Sequence, residues 1–290
     1  MQIKRRLIIS ILSLCAYSIV HAQVNYKQQF TSKIIYQLSY VQDSNNVKGV
    51  KSEYMELLLN DSSSLFRSVN YGIYDSASYI EYLKGNYFGS TVLYTHPTNI
   101  CYNIVKTPTH IMYSEFFSMA NTTFAYNEPR NILQWELYPD TLTINGLHCQ
   151  KATLVNYGGR NWTAWFSNDI PISDGPYKFY GLPGIIVKIA DDKGYWRLTL
   201  TSTSNKLTDV IINYNAKFSY TEITKSEYFT KKRYLLDNAF NIQEAKGAFN
   251  ITPPDAKEDI RQNFSKKQKL IITGLSCHNN HDIKCAHGKG

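Results

Sequence analysis

The densest set of chemically active side chains ends the chain. Cys277, His278, His281, Cys285 and His287 bring two thiols and three imidazoles close together. Thiolate and imidazole donors suit zinc or copper, and four of the five would complete a tetrahedral site. Their spacing follows no standard zinc motif. In an oxidising compartment the two thiols would pair instead and leave a His-only set. Metal handling is one expectation for this tail.

Nucleophilic catalysis has less to work with. His148 and Cys149 are adjacent, and consecutive residues of a strand face opposite ways. The sequence has no Gly-x-Ser-x-Gly elbow, no His-Glu-x-x-His pair and no phosphate loop. His96 and His110 stand alone, and Asp191 with Asp192 falls in a turn. An envelope hydrolase using Cys149 or a carboxylate is a third reading only. The sequence assigns no catalytic residue and gives no ground for naming an enzyme.

A further set is aromatic: Trp165, Phe166, Tyr177, Phe179 and Tyr180, followed by Gly181, Leu182, Pro183 and Gly184. Pro183 and Gly184 fit the second and third positions of a type II turn, and Gly175-Pro176 makes a second rigid corner. Two readings fit this stiffened loop. It is either a hydrophobic plug that closes one end of a sheet or an aromatic surface for a ligand or partner. Arg160 and Asp169 are placed to pair across its base.

The elements that must position these residues are mostly strands. The chain has 290 residues, and its 23 Tyr, 13 Phe and 4 Trp favour pleated surfaces. Lys33 to Val41 reads as a strand. Tyr54 to Leu59 and Leu65 to Val69 form a hairpin across a turn of Asn, Asp and Ser. A short helix is predicted over Ser76 to Lys84, and strands over Thr91 to Tyr94 and Ile100 to Val105. Asn145-Gly146 between two β runs predicts a type I′ hairpin. More strands follow at Asn161 to Phe166, Ile185 to Ile189, Tyr195 to Thr201 and Val210 to Tyr220. Helices are predicted over Thr224 to Asp237 and from Pro253 to about Lys269. The run Lys231, Lys232, Arg233 reads as a solvated helix face. The fold class is mainly β (α+β): a curved antiparallel sheet or partial barrel of about ten strands, with a few C-terminal helices.

The first 22 residues read as a signal peptide. Lys4, Arg5 and Arg6 precede an apolar run from Leu7 to Val20, and cleavage after Ala22 leaves Gln23 first. That run is short for a membrane span. Leu14 before Cys15 departs from a lipobox, which favours a soluble exported chain. Formal charge is +8, and removing the three leader cations leaves +5, too mild and dispersed for nucleic acid. Four Cys remain, allowing three connectivities; Cys277 with Cys285 would leave Cys101 with Cys149. The domain reading is a leader over 1–22, one β-rich domain over 23–274 and a Cys/His tail over 275–290.

Six short motifs occur in order: Cys149 to Ala152, Gly159-Arg160, Ala164-Trp165-Phe166, Asp169 to Ile172, Gly175 to Phe179, and Gly181-Leu182-Pro183-Gly184-Ile185. Together they resemble the GLPGLI family, exported proteins known mainly from Bacteroidetes. The likeness is dense from about Ile144 to Ile189, with Ile185 where the family carries its second Leu. It implies an exported β-rich protein of unknown function and no mechanism. The expected function is cell-envelope binding or scaffolding, in the periplasm, at the surface or secreted. Its partner would be an outer-membrane or envelope protein, or a hydrophobic small ligand. Metal handling is the alternative.

Overall fold

The computed structural model describes residues 27–41, 49–85, 95–131, 133–212, 220–248, 250, 252 and 256–262. Its strands are β1 (Lys27–Phe30), β2 (Ser32–Val41), β3 (Val50–Leu59), β4 (Ser64–Ser68), β5 (Tyr102–Lys106), β6 (His110–Phe117) and β7 (Thr122–Pro129). They continue as β8 (Trp135–Ile144), β9 (Leu147–Tyr157), β10 (Arg160–Ser167), β11 (Ile185–Asp191), β12 (Trp196–Ser204), β13 (Thr208–Ile211) and β14 (Tyr220–Glu222). The helices are α1 (Val69–Leu83), α2 (Lys225–Asp237) and α3 (Ala239–Ala245). A further helical run covers 256–262.

Among the described residues twelve strands form one mixed sheet in the order β14-β7-β6-β5-β4-β3-β2-β12-β11-β10-β9-β8, and β1 pairs with β13 apart from it. The turns follow from residue chemistry. Asn60 Oδ1 accepts the Ser62 and Ser63 amides at 3.0 and 2.8 Å and closes the β3–β4 turn. Asn145 and Gly146 take φ of 52° and 82°, as a type I′ turn requires.

The sheet has to curve. Pro129 ends β7 and Trp135 begins β8, so six Cα steps span at most about 21 Å. In a flat sheet those strands would stand ten spacings apart, about 48 Å. Curling reconciles the two distances, and the main core fills the concave side. Ile34, Tyr36 and Leu38 of β2 reach it beside Met55, Ile104, Tyr126, Leu154 and Trp162. On the convex side, Phe30, Val210 and Ile212 cover Leu58 and Leu65, while Tyr71 and Tyr74 of α1 pack on Phe116. The free edge at β8 carries Pro139 and a register slip between Leu137 and Thr141, features that blunt further strand pairing.

Several expectations need correction. The sheet is mixed because β14 runs parallel to β7. That direction delivers the chain to Thr224, which caps α2 with Glu227 in a capping box, and α2 then packs on β7. Helix α1 begins at Val69, not near Ser76: Ser68 caps it by accepting the Tyr71 amide at 3.1 Å, and buried Tyr71 and Tyr74 hold its first turns. Packing there overrides a weak helical sequence. Cys101 and Cys149 do not pair; both are free. Cys101 lies against the cluster under α1, whereas Cys149 sits on β9 at the far end of the sheet. Among the described residues no helix is long and apolar enough to cross a membrane.

Candidate functional site

The aromatic loop joins β10 to β11 and occupies residues 168–184 on the concave side. It is fastened at three points. At the first, Asp174 forms an ion pair with Lys106 of β5 and accepts Ser64 Oγ of β4 at 2.6 Å. Lys106 Nζ also donates to the Gly175 carbonyl at 2.6 Å. Lys106 is fully buried, and burial pulls its pKa down. Nearby, Tyr36 Oη donates to the Ile186 carbonyl at 2.8 Å.

At the second point Lys178 reaches β7. Its ammonium pairs with Glu128, donates to Tyr126 Oη at 3.0 Å, and lies 4.7 Å from the Tyr126 ring centroid. Burial lowers the Lys178 pKa to about 8, against the opposing pull of Glu128. Burial alone would raise Glu128, but the charges of Lys178 and Lys225 outweigh it and hold the carboxyl below its usual range. At the third, Tyr180 Oη donates to the Asn131 carbonyl, Trp135 Nε1 donates to the Tyr180 carbonyl at 2.8 Å, and Arg130 lies 4.4 Å from the Tyr180 ring centroid.

Phe179 sits between these fastenings, with ring centroids 4.8 Å from Trp162 and 5.4 Å from Tyr157. Two glycines of the motif have different reasons to be there. Gly181 has φ of 92°, which side chains rarely adopt. Gly184 does not have a positive φ, so the predicted type II turn is absent. A Cβ at Gly184 would stand 1.9 Å from the Ser167 carbonyl oxygen, so glycine is required by contact.

The predicted residues therefore part company. Phe166, Phe179, Tyr180, Leu182 and Gly184 are buried in the concave core; Tyr177 is half-buried there; Gly181 and Pro183 are exposed. Trp165 is half-buried and faces the other way, in register with Lys151 and Lys188. Cys277, His278, His281, Cys285 and His287 lie outside the described residues. Among the described residues no group of three His, Cys, Asp or Glu is arranged to hold a metal. Arg160 pairs with Asp191, not Asp169, while Asp169 accepts the His148 amide at 2.8 Å. The reason is register: Asp191 stands opposite Trp162, beside the β10 end that carries Arg160. Burial raises the Cys149 thiol and keeps it protonated.

A second polar cluster leaves no signal in the sequence. Glu115 of β6 accepts Lys232 Nζ at 2.6 Å and Tyr113 Oη at 2.9 Å, and it also accepts Tyr228 Oη of α2. Lys232 is thus an anchor of α2, not part of a solvated face. Burial raises Tyr113, Tyr126, Tyr177 and Tyr228 well above the usual tyrosine range.

Residues 159–188 match a family described as a protein of unknown function (Porph_ging). That segment is β10, the loop and the start of β11. No curated protein matches. Among solved structures, PNGF-II in its P21 crystal form is 15% identical over 70% of this chain and 32% of that one, with a TM-score of 0.46. Its C2 form gives 15%, 70%, 32% and 0.45. An uncharacterized conserved protein from Thermus thermophilus is 9% identical over 67% of this chain and 91% of that one, with a TM-score of 0.33. The chain spans about a third of the length of PNGF-II.

Proposed function

We propose that the chain is an exported binding or scaffolding protein of the cell envelope, with the β10–β11 loop as its internal brace. One observation carries the reading: the Asp174 and Lys178 side chains and the Tyr180 carbonyl engage β4, β5, β7 and β8 from inside the curve. Asp174, Lys178 and Tyr180 hold the sheet's shape, and the rings that would have met a hydrophobic ligand pack on one another. Binding then belongs to the outside of the sheet. The leader supports export. The tagged full chain, expressed in an envelope-bearing host, is expected to start at Gln23 and to sediment with the envelope. Recovery unprocessed in the cytosol would overturn export. Recovery processed but wholly free of the envelope would overturn binding.

A second reading rests on Cys277, His278, His281, Cys285 and His287, whose donor types suit zinc or copper. Truncation after Gly274 should then abolish metal uptake, measured by elemental analysis, and leave the circular dichroism unchanged. Equal uptake by the truncated chain would remove this reading.

A further inference from the structure

The convex face of the sheet is covered unevenly. Helix α1 and the β1–β13 pair lie over β3 to β6. Over β9 to β12, β2 and the first half of β3 the face is partly open: Gln37, Tyr54 and Arg197 are exposed, Lys151, Trp165 and Lys188 are half-buried, and Cys149, two residues from Lys151, is buried. Antiparallel partners share a face, so the register fixes what that area presents. One row crosses six strands: Lys151, Trp165, Lys188, Thr199, Gln37 and Tyr54. The next row contains Thr163, Arg197 and Ser39. Trp165 and Tyr54 are four strand spacings apart, about 19 Å.

The chemistry of this area is specific. Two aromatic rings flank short hydroxyls and an amide: Tyr54 is 56% exposed, and Trp165 is half-buried with part of its ring against the main core. Lys188 and Arg197 make no ion pair among the described residues. Lys151 is 3.9 Å from Asp140. Of the nearby acids, Glu56 is paired with Lys33 and Arg67, and Glu136, Asp140 and Asp192 lie on the β8 edge and in the β11–β12 turn, so the middle of the face is cationic.

We propose that this face binds an extended anionic oligosaccharide laid across the strands. Sugar rings rest against Trp165 and Tyr54, acid groups meet Lys188 and Arg197, and Thr199, Gln37 and Ser39 hydrogen-bond the hydroxyls. An acidic peptide is the poorer fit. Peptides bind by adding to a strand edge or by filling a groove, and here the backbone is already paired and the surface is a sheet face. The inference rests on the reading of the chain as an envelope binding module and names its ligand class.

The test uses the mature full chain in affinity electrophoresis, with polygalacturonate as probe and neutral dextran and polyglutamate as controls. Polygalacturonate should retard the chain. The double variant Lys188→Gln, Arg197→Gln should weaken that binding about tenfold through lost charge-assisted hydrogen bonds. Tyr54→Ala should weaken it about threefold through lost ring contact. Circular dichroism should be unchanged, since all three residues are at the surface. Absence of retardation, parental binding by the double variant, or equal retardation by polyglutamate would overturn the proposal. If the chain still sediments with the envelope in that case, only the ligand class fails. If it does not, the module reading fails too.

Discussion

Trp165 and Phe166 are consecutive, yet they point to opposite sides of the sheet. Phe166 points into the concave core and is 1% exposed, while Trp165 lies half-buried on the convex side between two lysines. The lysines of the two regions differ in the same way. Lys106 and Lys178 are buried and ion-paired, whereas Lys188 lies on the half-open outer face. Lys106 and Lys178 inside the sheet fasten a loop; Lys188 outside it makes no ion pair among the described residues. Inside, losing one member of a pair strands the other in a medium that solvates it poorly, so substitutions there should cost far more. That contrast orders the tests.

The largest effect should come from Asp174→Ala. It leaves Lys106 unpaired at a fully buried position and removes the acceptor of Ser64. Loss of one partner of a buried pair costs about 3–5 kcal/mol. Urea unfolding should show that drop, and the double variant Asp174→Ala, Lys106→Met should recover part of it. A change below about 1 kcal/mol, the scale of a surface pair, would remove the fastening role. Gly184→Ala should follow closely, because its Cβ must displace the Ser167 backbone. Overpacking of this kind costs about 1–3 kcal/mol or more, several degrees in melting temperature. Pro183→Ala, one residue away and exposed, should change it by less than about 2 °C. Equal effects at the two positions would contradict the contact argument.

Much of the sheet is legible in the sequence. Alternation in β2 and the Asn145-Gly146 turn act over a few residues, and local signals of that range survive in the fold. Strands β6 and β7 are not legible, because buried Ser114, the Glu115 cluster and Thr123 break their alternation, and those side chains meet their surroundings only after the chain has folded. The same cause hides the site. Lys178 carries no local signal of its role, because its partners Glu128 and Tyr126 lie fifty or more positions away on β7. Gly184 reads as a turn glycine because contact with a backbone seventeen residues earlier leaves no mark in sequence.

The buried lysine also gives the concave region a pH signature. Lys178 has a folded pKa of about 8, below its ordinary value of 10.5. Between those values the unfolded chain holds a proton that the folded chain has released, so this group adds stability as pH rises through that window. The tyrosines act oppositely above about pH 10, where unfolded phenols ionise and the buried ones do not. Unfolding free energies of parent and Lys178→Met should therefore diverge in the parent's favour from about pH 7 to about pH 10. Glu128 is held below its usual range in the parent and keeps Lys225 beside it in the variant, so its own titration lies below that window. A difference that stays flat with pH would mean that burial does not govern Lys178.

The smallest expected effect is on the convex face, and its smallness is the informative part. Lys188→Gln, Arg197→Gln and Tyr54→Ala remove half-open or exposed side chains with no buried partner among the described residues. Each should shift the melting temperature by less than about 2 °C, as surface changes away from packed features do. A residue that a fold does not need, in a row that the register assembles from six strands, is free to answer to a ligand. If these variants instead unfolded the chain as Asp174→Ala does, Lys188 and Arg197 would be fasteners like Lys178. The division between a braced inside and an available outside would then disappear.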